Sequence, residues 1–228
     1  MTAEEYFGDW IKVIDKKELV KIMSWLKTVD AKTLCPSPKN IFKAFLTCPF
    51  TECKVIMVGL DPYPQPGVAT GIMFGNSANQ KVLSPSLQVI KEACINFEIP
   101  HNNIMFDQTL ESWAKQGILM LNTALTCEVN YTGSHSDIWR PFISKLITNI
   151  SRRDSGLVWV LFGAKAQSFE RFIDGTHKII KVAHPAYFAR KQEKMPYSVF
   201  TDINKFLKAQ YNEHIEFYKE ETIFPLVY

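Results

Sequence analysis

Asp61, Asn122, Lys165 and His184 each stand just past a short apolar run. The runs occupy residues 55–58, 118–121, 157–162 and 179–182 and are rich in β-branched residues. Runs this short and continuous predict strands buried on both faces of a mostly parallel sheet. Ligands bind at the carboxyl ends of such strands. If the strands are parallel, the four polar side chains converge on one edge. A carboxylate, an amide and an imidazole, with the aromatics Tyr63 and Phe74 close in sequence to Asp61, suit a planar, hydrogen-bonding ligand whose charge changes during reaction. Taken singly, each residue has a plainer reading. Asp61 before a proline reads as a turn or cap carboxylate, and Asn122-Thr123 and His184-Pro185 read as turns. Phe74 reads as core, and Tyr63 between two prolines as a packing lid.

The elements that would position these residues follow from spacing. Residues 3–28 carry apolar side chains at helical intervals. Cys35-Pro36-Ser37-Pro38 is a break, and residues 40–46 read as a short helix. Helical patterns follow at 86–97, 109–115, 138–150, 164–173 and 199–211. Helices alternating with buried strands predict an α/β fold: a three-layer αβα sandwich around a central, mostly parallel four-stranded sheet. No linker or repeat interrupts the chain, so residues 1–228 are expected to form one domain. The segment from Ile215 to Tyr228 is apolar enough to dock on the core or on a partner.

Composition narrows the chemistry. A net charge of +3 and a pI near 8.5 are only mildly basic, so any surface for a polyanion must be local. The five cysteines include no CxxC pair and read as reduced thiols rather than a zinc site. Neither a metal nor a cofactor is expected. No GxSxG elbow, GxGxxG loop, Walker loop, HExxH or zinc-deaminase pattern occurs. The opening MTAEEYFGDW is acidic and lacks the apolar stretch of a secretory signal. No apolar run is long enough to span a membrane. An intracellular location is expected, cytoplasmic in a bacterial or phage setting.

Several ordered motifs then carry a resemblance. VIMVGLDPYPQPGVATGIMF resembles the water-activating motif of family 1 uracil-DNA glycosylases, usually written GQDPYH. LSPSLQVI is similar to that family's phosphate-pinching loop, and ILMLNTALT to its strand bearing the base-reading asparagine. VLFGAKAQ resembles its glycine-serine loop, and AHPAYFA sits where the family has its HPSPLS leucine loop. PSPKNIFKAF, LESWAKQG and YTGSHSDIW are collinear with the family, so the likeness runs from about residue 36 to 207.

The resemblance implies hydrolysis of the N-glycosidic bond of uracil flipped out of DNA, leaving an abasic site, as in base excision repair. It implies that Asp61 orients water and stabilises the sugar cation, and that His184 hydrogen-bonds the uracil oxygen that gains charge. Asn122 would read the base, Phe74 would stack on it, and Tyr63 would exclude a methyl group at C5. Leu60 would contribute backbone to the same pocket. Ser84, Ser86, Lys165, Ala186, Tyr187, Phe188 and Arg190 would contact DNA. DNA is the implied partner, a glycosylase-inhibitor protein a further one, and a monomer the implied state.

Three departures stand out. Leu60 replaces the usual glutamine and Pro64 the usual histidine, while Ala186-Tyr187-Phe188-Ala189 replaces the serine-containing wedge loop, with Phe188 aligned to the wedge. The Asn122 amide, rotated by a half turn, would match cytosine, so uracil selectivity needs a contact that fixes it. A glycosylase of the same fold acting on a modified pyrimidine, and a non-catalytic DNA-binding or replication module, are the alternative readings.

Overall fold

A computed structural model describes residues 1–95, 103–153 and 156–220. Its strands are β1 (Leu34–Cys35), β2 (Val55–Gly59), β3 (Ile104–Met105), β4 (Ile118–Asn122), β5 (Cys127–Glu128), β6 (Val158–Phe162), β7 (Lys178–Val182) and β8 (Lys219–Glu220). Its α-helices are α1 (Ala3–Phe7), α2 (Lys16–Leu26), α3 (Lys43–Thr47), α4 (Pro85–Ile95), α5 (Glu111–Lys115), α6 (Ser136–Arg153), α7 (Gly163–Gln167), α8 (Pro185–Lys191) and α9 (Ser198–Tyr211).

The central sheet has four strands in the order β4-β2-β6-β7, and every neighbouring pair is parallel. All five residues of β2, β4 and β6 are buried, as continuous apolar runs require. The edge strand β7 instead exposes Lys178 and Lys181, charges that discourage a further strand from pairing there. Helices flank the sheet, and the expected α/β sandwich is what forms. One hydrophobic cluster runs from Phe7 in α1 to Phe217 beyond α9, with Trp113, Trp139 and Trp159 completely enclosed.

Two short ribbons accompany the sheet. Antiparallel β1 and β5 pair Leu34 with Glu128 and Cys35 with Cys127. Antiparallel β3 and β8 tie the chain beyond α9 to the segment before α5. Ile215 and Phe217 are buried there, and Trp113 Nε1 donates to the Phe217 carbonyl at 2.9 Å. Ile215 and Phe217 therefore dock this segment on the core; residues 221–228 lie outside the described residues.

Helix boundaries differ from the periodicity where caps intervene. The stretch 3–28 divides into α1, a 3₁₀ turn over Gly8–Lys12 and α2. Gly8 ends α1 at φ 53°, and the Asp15 carboxylate caps α2 by accepting from Glu18 N at 3.0 Å. The expected helix over 40–46 is a 3₁₀ turn (Pro38–Asn40) followed by α3. The 164–173 pattern likewise divides into α7 and a 3₁₀ turn over Glu170–Phe172. Of the helix expected over 86–97, the last two residues, including Phe97, lie outside the described residues. Helix α8 was not expected: its residues read as a loop, yet Pro185 opens a helix behind a capping His184.

Candidate active site

The chain leaves β2 toward β4 on one side and leaves β6 toward β7 on the other. The crevice between the carboxyl ends of β2 and β6 is thus the topological switch point, where a ligand is expected. Gly59 ends β2 opposite Asn122. A Cβ there would lie 2.6 Å from Met73 Sδ and 2.8 Å from Asn122 Oδ1, so only glycine lets the asparagine come this close. Past it, the Gly59 and Leu60 carbonyls accept from Thr123 N and Ala124 N, each at 3.0 Å. Leu60 O also accepts from Thr123 Oγ1 at 2.7 Å. Two parallel strand ends are thereby bolted together.

Asp61 emerges from that junction half-buried. Its Oδ2 accepts a short hydrogen bond from the backbone N–H of Gly133, in the loop after β5. Burial pushes its carboxyl up to about 6, and the Gly133 N–H pulls the other way. It is a carboxylate kept ionised at neutral pH but poorly solvated. Tyr63 follows between Pro62 and Pro64, and its hydroxyl donates to the Phe74 carbonyl at 3.1 Å. Phe74 itself sits at φ 62°, a left-handed conformation that costs a bulky residue about 1–3 kcal/mol. Its ring meets Phe162 edge-on at 5.2 Å and the His184 imidazole at 5.4 Å. The bond from Met73 N to Met120 O, 3.2 Å, fixes this turn to β4.

His184 caps α8: Ala186 N donates to its Nδ1 at 3.2 Å. The ring proton of the neutral imidazole therefore lies on Nε2. Burial, helped by the Arg190 cation, lowers its pKa and keeps the ring neutral at physiological pH. Gly163 at φ 82° lets the β6 and β7 ends approach, because a Cβ there would stand 2.9 Å from His184 Cβ. Asn122 is 7% exposed, and its Oδ1 is buried without a hydrogen-bond partner. A buried acceptor without a partner is costly, and this one lies beside Gly59 at the strand junction.

These groups line one cavity of about 430 Å³. Leu60, Asp61, Tyr63, Phe74, Asn122 and His184 share it, with Ser86, Lys165, Ala186 and Arg190 also in its wall. Among the described residues no three His, Cys, Asp or Glu side chains come together in a way that would hold a metal ion.

The model of the uracil DNA glycosylase superfamily matches residues 45–208. A uracil-DNA glycosylase of Campylobacter jejuni (strain 81-176) is 38% identical over 209 residues, covering 88% of each chain. That of Fusobacterium nucleatum is 32% identical, covering 88% of this chain and 91% of its own. The chain belongs to the uracil DNA glycosylase superfamily. In three dimensions it superposes on mimivirus uracil-DNA glycosylase with a TM-score of 0.71 at 22% identity, covering 95% of this chain and 93% of that one. For the enzyme of Nitratifractor salsuginis the TM-score is 0.62 at 20% identity, covering 89% and 97%. These distant structures speak for the fold.

Of the residues expected to contact DNA, Ser84, Tyr187 and Phe188 do not line the cavity. Ser84 is engaged with Asn76: its N donates to Asn76 Oδ1 at 2.7 Å, and its Oγ accepts from Asn76 Nδ2 at 2.8 Å. Phe188, aligned with the family's wedge, is 9% exposed and belongs to the core, whereas Tyr187 is 39% exposed. The reason is α8. In a helix, consecutive side chains point about 100° apart, so Pro185 and Phe188 share the inner face and Tyr187 turns out. Sequence reasoning also passed over Gly133, Thr132 and Phe162. A glycine at φ 78° in a polar loop signals a turn, but nothing in the residue types shows that its N–H is aimed at Asp61.

Proposed function

We propose that this protein is a monofunctional uracil-DNA glycosylase that hydrolyses the N-glycosidic bond of a flipped-out uracil and leaves an abasic site. The observation that carries the reading is that Asn122, Phe74, His184 and Asp61 are set in one pocket. Uracil presents a donor at N3–H where cytosine presents an acceptor. With Oδ1 turned to the base, the Asn122 amide accepts from the first and is repelled by the second.

In this reading the base lies on Phe74, with Tyr63 at its C5 edge. Asn122 Oδ1 accepts from N3–H, and the amide nitrogen donates to O4. As the bond between the sugar C1′ and N1 breaks, its electron pair leaves with the base. His184 Nε2–H donates to the oxygen beside N1, where that charge collects; one such donor contributes roughly 3 kcal/mol. Asp61 supports the cationic sugar and orients the water whose oxygen bonds to C1′, the water's surplus proton leaving to neutralise the released base anion. The burial of Asp61 makes the attraction stronger than in bulk water. Extrusion of the base costs a few kcal/mol, least for a mispaired one.

Lys165 and Arg190 at the cavity rim, with Ser86 and Ala186, would hold the phosphate backbone. Tyr187 would enter the stack vacated by the base. The chain is read as one domain acting as a monomer on DNA. A mimivirus UNG variant was solved in complex with UGI, so an inhibitor protein of that kind is a proposed partner here. No helix of the described residues is long and apolar enough to cross a membrane. Incubation with single-stranded DNA carrying one uracil tests the reading. Abasic sites should accumulate, and their absence at any enzyme concentration would refute it.

A further inference from the structure

Cys35 and Cys127 have no part in the chemistry above, yet both sit against it. They face each other across the β1–β5 ribbon, 3% and 0% exposed, and neither is in a disulfide. The Cys127 thiol donates to the Pro62 carbonyl and the Cys35 thiol to the Pro64 carbonyl, each with sulfur 3.4 Å from oxygen. Pro64 O also accepts from Asn130 N at 3.0 Å. Pro62 and Pro64 have no N–H, so the segment carrying Asp61 and Tyr63 is held mainly through carbonyls. The donors come from this one ribbon and the loop beyond it.

We infer that Cys127 and Cys35 are positioning residues: their S–H groups clasp the carbonyls on either side of Tyr63 and thereby aim Asp61 and Tyr63 into the pocket. The inference rests on the functional reading of those two residues given above. Burial raises the pKa of both thiols, and the Asp61 charge raises Cys127 further, so both stay protonated donors at neutral pH. An S–H bond is weak, and its effect lies in aim rather than stability. A displacement of an ångström in a reacting group can cost about a hundredfold in rate. Pro62 O has the Cys127 thiol, whereas Pro64 O keeps Asn130 when Cys35 is removed, so Cys127 is the more important of the pair.

Single-turnover cleavage of uracil-containing single-stranded DNA should be measured for the wild type, Cys127→Ala, Cys127→Ser and Cys35→Ala. The S–H stretching bands of the folded proteins should be recorded by infrared spectroscopy. Cys127→Ala is expected to slow the chemical step roughly 10- to 100-fold with DNA affinity nearly unchanged, and Cys35→Ala to slow it less. Cys127→Ser keeps a donor and should stay within about threefold of wild type. The wild type should show S–H bands shifted by hydrogen bonding, one of which disappears in Cys127→Ala. A folded Cys127→Ala with wild-type turnover, a serine variant as slow as the alanine variant, or bands at the free-thiol position would each overturn the inference. A wild type that releases no uracil defeats the functional reading instead, and the infrared bands then still decide whether the thiols clasp the loop.

Discussion

The Tyr63 hydroxyl donates to the Phe74 carbonyl at 3.1 Å, so the two cavity-lining rings are tied into one unit. Phe74 holds a left-handed backbone conformation that an unconstrained phenylalanine would leave. The tie, together with the Met73 bond to β4, explains how the turn persists.

Tyr63→Phe removes that tie and leaves the ring. Base release should fall by several-fold, and the protein should lose about 1 kcal/mol of stability from the unmade hydrogen bond. Tyr63→Ala should in addition admit thymine. Steady-state assays on uracil- and thymine-containing strands check both; absolute rejection of thymine by Tyr63→Ala would make Tyr63 a structural lid only.

The Asp61 carboxyl, pushed up to about 6 by burial, fixes the direction of two pH effects. The proposed mechanism uses the anion, so kcat/KM of the free enzyme should rise with pH through about 6 and level off above. Folding shows the opposite trend. The native state holds the Asp61 proton more tightly than the unfolded chain, so its contribution to stability is full below about 4 and is lost as pH rises to about 6. Asp61→Asn should therefore abolish most base release, by orders of magnitude, while making the protein about 2 kcal/mol more stable at pH 7.5. Thermal melts beside activity assays test the pair of outcomes, and a variant both inactive and less stable would count against the buried-anion account.

Tyr187 and Phe188 should separate cleanly. Tyr187→Ala leaves the core intact and should reduce release from duplex DNA far more than from single strands, because only the duplex needs a wedge. Phe188→Ala should instead cost about 3–5 kcal/mol of stability, the usual loss for a buried phenylalanine. Denaturant unfolding and paired duplex and single-strand assays distinguish them.

His184 Nδ1 is occupied by Ala186 N–H, and the proposed mechanism uses the neutral ring as a donor through Nε2. His184→Ala should lower the rate about 100-fold without altering DNA binding, in line with loss of one preorganised donor. A nitrogen NMR titration should find the ring titrating below an ordinary histidine, since burial and Arg190 both lower its pKa.

The parts of this arrangement that sequence could supply are those with a continuous physical signature. Strands β2, β4 and β6 are buried on both faces, so their apolar runs stood out, and the residues after them fell at one sheet edge. Asp61 and Asn122 stood out as candidates for that reason, whereas His184 follows the partly exposed edge strand β7. Gly133 was not, because its contribution is a backbone N–H that leaves no mark on residue type. The β1–β5 ribbon is two residues long on each side, too short for an alternating pattern to register. Helix α8 was hidden because His184 serves at once as cap and pocket residue, and the inward turn of Phe188 was hidden with it.

In the proposed reading, the Asn122 amide, the anion of Asp61 and the guard of Tyr63 together select uracil. Mass spectrometry of the free bases released from matched DNAs containing uracil, thymine, cytosine or a hydroxymethylated pyrimidine tests it most directly. The account predicts uracil as the released base, with the others at background. Release of a modified pyrimidine or of cytosine in preference to uracil would contradict it.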